Sequence, residues 1–117
     1  MKRLQLVVLA LTATAQLAPP DLAHGAAEYQ SKCALCHGKA GAGDGAMAGA
    51  LAVKPRNLAD PMWQASITDA ALDEVMLKGC KAVGKSELMP GNFERDRQSL
   101  ADVRAFLRAL PHGQGAR

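Results

Sequence analysis

The chain has 117 residues, a formal net charge of +3 and only four aromatic side chains, Tyr29, Trp63, Phe93 and Phe106. That length holds one small domain and excludes a multidomain enzyme or a full nucleotide-binding fold. Almost half the residues count as hydrophobic, but 23 are alanine, so large core side chains are few and something besides them is expected to complete the core.

Met1-Lys2-Arg3 is followed by the apolar run Leu4 to Leu11 and then by the small residues Ala13-Thr14-Ala15. A basic head, a short apolar centre and a small-residue exit make up a secretory signal peptide. The run is short for a bilayer span, and no Cys near the junction offers a lipid attachment point. Residues 1–15 are therefore expected to be removed on export to a bacterial periplasm, leaving 16–117 as one domain. Loss of Lys2 and Arg3 reduces the charge to +1, which is no balance for binding nucleic acid.

Three helices are expected in the remainder. The first starts near Asp21, an N-cap after Pro19-Pro20. It carries Leu22, Gly25, Ala26, Tyr29, Cys33 and Cys36 at helical spacing and runs to about Gly38. The second follows Ser66, with Asp69 three residues on as a capping-box-like pair. Its apolar face is Leu72, Val75 and Met76, and Gly79 stops it. The third, capped by Asp96 or Ser99, presents Leu100, Val103, Phe106, Leu107 and Leu110 before Pro111 ends it. No segment alternates as a strand. The predicted fold class is all-α with long loops, and loops of that length usually wrap a ligand.

Cys33-Ala34-Leu35-Cys36-His37 is C-x-x-C-H, the signature of c-type haem attachment. On a helix, positions i, i+3 and i+4 share one face. Both thiols can then form thioethers with the haem vinyl groups while His37 serves as proximal iron ligand. A dithiol redox pair would need a βαβ setting, and zinc would need a second ligand pair that Cys80, His24 and His112 do not make. Gly79 to Ser86 matches the phosphate-binding G-x-x-x-x-G-K-[ST] pattern, but a helix precedes it where a strand is needed. Cys80 is left without an intramolecular partner and reads as a buried or half-buried bystander. For the sixth iron position Met47, Met62, Met76, Met89, His24, His112 and an open site are all available.

Around that motif the chain resembles the class I cytochrome c family. Gly25, Tyr29 and Cys33 match its Gly, aromatic and first haem cysteine, each four residues apart. Phe106-Leu107 matches the aromatic-Leu pair of its last helix, and Met89-Pro90 matches its Met in a loop before that helix. The resemblance covers residues 22 to 110. It implies about three main helices around one covalent haem c, with Met89 as the distal iron ligand. It also implies that the Pro55 carbonyl meets Nδ1–H of His37, and that Arg56 and Trp63 approach a haem propionate. The implied activity is one-electron transfer by a small, monomeric carrier rather than catalysis. The alternative is a haem subunit relaying electrons within a dehydrogenase or reductase complex. Redox proteins would dock at the haem edge, steered by cations such as Lys39, Lys54, Arg56, Lys78, Lys81 and Lys85.

Overall fold

A computed structural model describes residues 3–10, 17–81, 88–91 and 96–113 of the chain. Asp21 begins the first helix, α1 (Leu22–Lys32), by accepting a hydrogen bond from the His24 N–H at 3.1 Å. The helix expected to continue to Gly38 breaks at Cys33, whose φ of −122° leaves the helical region. A single turn, α2 (Ala34–His37), follows at once. Beyond a 3₁₀ turn at Ala48–Ala50 come α3 (Pro61–Ser66), α4 (Asp69–Lys78) and α5 (Arg97–Ala109). The architecture is all-α, and the described residues contain no strand, only one isolated antiparallel bridge between Gly79 and Pro90.

Two further helix boundaries differ from expectation. The N-cap of α4 is Thr68, whose hydroxyl accepts from the Ala71 N–H at 3.1 Å. Ser66, expected in that role, instead closes α3 and donates its hydroxyl to the Trp63 carbonyl at 2.7 Å. Helix α3 is not among the three expected helices, although Asp60-Pro61, a cap followed by a proline at the first helical position, is a local signal for it. At the other end Pro111 does not stop the chain from winding. It lies inside a 3₁₀ turn, Leu110–His112, where its missing N–H costs nothing. Asp96 rather than Ser99 caps α5, accepting from the Ser99 N–H at 2.9 Å.

The core lies where α1, α4 and α5 meet. Tyr29, Leu72, Met76, Val103, Phe106, Leu107 and Leu110 are all buried there, with Leu58 brought in from the loop before α3. Helices α1 and α5 cross at Gly25, where a Cβ would stand only 2.1 Å from the Asp102 carbonyl oxygen. One turn on, the rings of Tyr29 and Phe106 meet at 5.0 Å between centroids. Arg108 of α5 ties down the corner between α3 and α4. Its guanidinium reaches the Gln64 and Ile67 carbonyls and the Asp69 carboxylate.

The same crossing holds a buried carboxylate. Asp102 is 2% exposed and accepts from the Asp21 N–H at 2.9 Å, from Gln98 Nε2 at 2.9 Å and from His24 Nδ1 at 2.7 Å. Gln98 also exchanges hydrogen bonds with both backbone groups of Ala18, fastening the segment before α1 to α5. Burial pushes the Asp102 carboxyl up, but its donors outweigh that and hold it below its ordinary value. The hydrogen bond to Asp102 raises His24 against some desolvation, with Glu28 and Asp21 adding to the rise.

Residues 3–10 form no regular element, and Leu4, Leu6, Val7, Val8 and Leu9 are exposed. Among the described residues no helix is long and apolar enough to cross a membrane. The small-residue site at 13–15 lies outside the described residues.

Gly25→Ala is expected to lower stability by about 1–3 kcal/mol, seen as an earlier denaturant midpoint, because the added methyl has nowhere to go. The His24–Asp102 pair sets a pH dependence with a definite sign. A raised histidine contributes fully below its unfolded value of 6.5, and the contribution fades as pH climbs through the folded one. The Asp102 contribution is present above its unfolded value and fades as pH falls through its lowered folded one. Thermal unfolding temperatures should therefore fall in the parent as pH rises above 6.5, and fall less in His24→Ala.

Candidate functional site

Cys33, Cys36 and His37 sit where α1 gives way to α2. The His37 N–H donates to the Cys33 carbonyl at 2.9 Å, an i to i+4 bond that sets the three residues along one face despite the break at Cys33. Both cysteines are free thiols and half-buried. Burial is the main cause that pushes the Cys33 thiol up to about 11, opposed by Lys32 and assisted by Glu28 and Cys36. It is therefore a neutral thiol near neutral pH.

His37 is 9% exposed, and its Nδ1 lies 3.0 Å from the Arg56 carbonyl. A carbonyl can only accept, so Nδ1 carries the proton and Nε2 keeps its lone pair. Burial pulls the imidazole below its ordinary value, while the carbonyl bond works the other way. The result is a neutral ring of fixed tautomer with one basic nitrogen, the form in which histidine binds a metal.

The carbonyl holding His37 belongs to Arg56, not to Pro55 as the resemblance implies. The difference has a local cause. Gly41 and Gly43 both have positive φ, and a Cβ at Gly43 would lie 2.6 Å from the Pro55 carbonyl oxygen. Pro55 thus faces the glycine loop, while the Leu58 N–H donates to the Gly41 carbonyl at 2.6 Å and fixes the strand of chain between them. The next carbonyl, that of Arg56, falls to His37.

The same loop grips α2 directly. The N–H groups of Gly43, Gly45 and Met47 donate to the carbonyls of His37, Cys36 and Leu35 at 2.7, 3.0 and 3.0 Å. These are the terminal carbonyls of α2, which have no partner within the helix. A Cβ at Gly45 would be 2.3 Å from the Leu35 carbonyl oxygen, so this approach needs glycine. From the other side the Tyr29 hydroxyl donates to the Gly38 carbonyl at 2.6 Å.

Arg56 and Trp63 meet each other, with the guanidinium carbon 5.8 Å from the indole centroid. Of the methionines, Met76 is buried in the core, whereas Met47 and Met62 are exposed. Met89 is half-buried opposite the end of α4, its carbonyl accepting from the Cys80 N–H at 3.1 Å and its Sδ lying 3.3 Å from Cys80 Sγ. His112 is exposed in the last turn. Lys39, Lys54 and Lys81 are exposed, and Lys78 pairs with Glu74 at 3.6 Å. Lys85 and Phe93 lie outside the described residues, as does most of the stretch from Gly79 to Ser86. The Arg56 carbonyl and the Cys80 contact with Met89 are features that sequence reasoning missed. A backbone acceptor has no residue signature, and two sulfurs nine positions apart show no periodic pattern.

A donor set of two free thiols, a neutral imidazole with a free Nε2 and a separate thioether fits a covalently held haem. The family model for Cytochrome c matches residues 22–111, more than three quarters of the chain. No curated protein and no solved structure gives a significant match.

Gly43→Ala should lower stability by about 1–3 kcal/mol in denaturant unfolding, since it demands a positive φ from alanine and pushes Pro55 away.

Proposed function

Given that the chain belongs to the cytochrome c family, whose members are haem-based electron carriers with covalently attached haem c, we propose that it is a periplasmic one-electron carrier ligated by His37 and Met89. The hydrogen bond from His37 Nδ1 to the Arg56 carbonyl carries this reading, because it leaves Nε2 as a fixed, neutral donor. When bound, the haem supplies a one-electron iron couple that no side chain of the protein provides.

The roles of the residues follow from their chemistry. Cys33 and Cys36 would hold the cofactor through two thioether bonds, so that it could not dissociate. His37 would hold the iron through its Nε2. Met89 would offer it a soft thioether, which favours the reduced state relative to a second imidazole. With His37 and Met89 both holding the iron, the group would carry an electron rather than act on a substrate. Arg56, stacked on Trp63, provides a cation for a haem propionate. The export reading rests on the basic head, apolar run and small-residue exit of residues 1–15.

Partners are redox proteins docking by the attachment turn. Lys39 and Lys54 are exposed in the surrounding loops, and charge steering there would make association rates fall with salt. A second reading, a haem subunit held in a larger redox complex, is favoured by one observation. Leu35 and Met47 are 60% and 42% exposed, and a backbone hydrogen bond sets them side by side beside the two cysteines. An apolar pair at that point suits a lasting interface better than a fleeting one.

Absorption spectra of the protein expressed with haem-maturation machinery test the reading. Expected are a haem that survives denaturing extraction and, in the oxidised form, a red-region iron–methionine charge-transfer band. Met89→Ala should abolish that band and allow carbon monoxide to bind the reduced protein. Persistence of the band in this variant would reassign the ligand.

A further inference from the structure

Cys80 is the one cysteine outside the attachment motif, and thioether formation leaves it no task. Its position is nonetheless specific. Gly79, at a φ of +82°, turns the chain out of α4 and pairs in an antiparallel bridge with Pro90. A Cβ at Gly79 would stand 2.6 Å from the Met89 carbonyl oxygen, and one at Gly91 would stand 2.4 Å from that of Leu77. The two segments are thus as close as their backbones allow. Within this pairing Cys80 holds Met89 twice, through its N–H to the Met89 carbonyl at 3.1 Å and through its Sγ, 3.3 Å from the Met89 Sδ.

Only one of these sulfurs carries a hydrogen. A thioether has lone pairs and no proton, so the Cys80 S–H is the donor and Met89 the acceptor. A sulfur with two lone pairs can accept this bond with one and keep the other for a metal. The donor orients the free lone pair and also draws electron density from it.

We propose that Cys80 is a positioning residue for Met89, its thiol hydrogen bond aiming the thioether and weakening its donation to the oxidised iron, which raises the reduction potential. The proposal rests on Met89 being the distal ligand. Without the S–H the thioether becomes the stronger base, favours the oxidised state more, and the potential falls. Hydrogen bonds to ligating atoms are a recognised means of tuning such potentials.

The test is a redox titration and an oxidised spectrum of the haem-loaded full chain, its Cys80→Ala variant and its Cys80→Ser variant. The parent is expected to show the red-region methionine band. In Cys80→Ala the ratio of reduced to oxidised protein at the parent's midpoint should fall about threefold, the size of one weak S–H bond. At 59 mV per tenfold for one electron, that is a shift of about 30 mV downward. Cys80→Ser keeps a donor at similar volume and should stay closer to the parent. Loss of the band in the alanine variant but not in the serine variant supports the same hold on Met89. A parental potential in Cys80→Ala with the band intact overturns the proposal. So does a serine variant displaced as far as the alanine one, since packing and not the donor would then be responsible. A parent without the band overturns the ligand reading and this proposal together, and the parent spectrum alone distinguishes that failure from the others.

Discussion

With no side chain at Gly25, the backbone of α1 comes against the Asp102 carbonyl of α5, and the rest of the site hangs from that approach. Four residues on, Tyr29 meets Phe106 and sends its hydroxyl to the Gly38 carbonyl, immediately after His37. The crossing and the attachment turn are therefore linked through one buried ring. A shift of α5 would move Phe106, then Tyr29, then the carbonyl that closes the turn bearing the histidine. Close-packed interiors transmit such displacements rather than absorb them.

The crossing also contains a charge, and its neighbours explain why that is tolerable. Asp102 has donors from a backbone N–H, an amide and an imidazole, so its oxygens are paired where water is excluded. Two of those donors, at Asp21 and His24, belong to the first turn of α1 or its cap. The carboxylate of one helix thus organises the start of the other. Gln98 extends the arrangement to Ala18. At the far end of α5, Arg108 performs a comparable task for α3 and α4.

A chain with so few large side chains uses backbone for much of its positioning. The glycine loop after His37 donates three N–H groups to the end of α2, and the segment that follows supplies the carbonyl on Nδ1. Backbone groups suit this work because they carry little conformational freedom once the loop is closed. A histidine held so firmly would change little between two oxidation states, as an electron carrier requires. A flat apolar haem would also supply the interior surface that alanine cannot.

Much of this was legible from residue types. The C-x-x-C-H spacing, the period of α5, the Asp21 cap and the match of Gly25, Tyr29 and Phe106-Leu107 to one family all depend on local geometry or on residues with one physical use. Local signals misplaced the start of α4, since Ser66 and Thr68 are both competent caps and only the packing of α3 selects between them. The break at Cys33, the choice of Arg56 over Pro55 and the meeting of Cys80 with Met89 could not be read in advance. Each depends on how two distant segments approach, and a sequence records side chains but not the direction in which a carbonyl or a sulfur finally points. The sequence by itself determined the all-α class, the attachment motif and the helices that flank it. Tertiary structure alone decided which carbonyl sets the histidine tautomer and which thiol reaches the methionine, because both are settled by loop closure over glycines rather than by any periodic pattern.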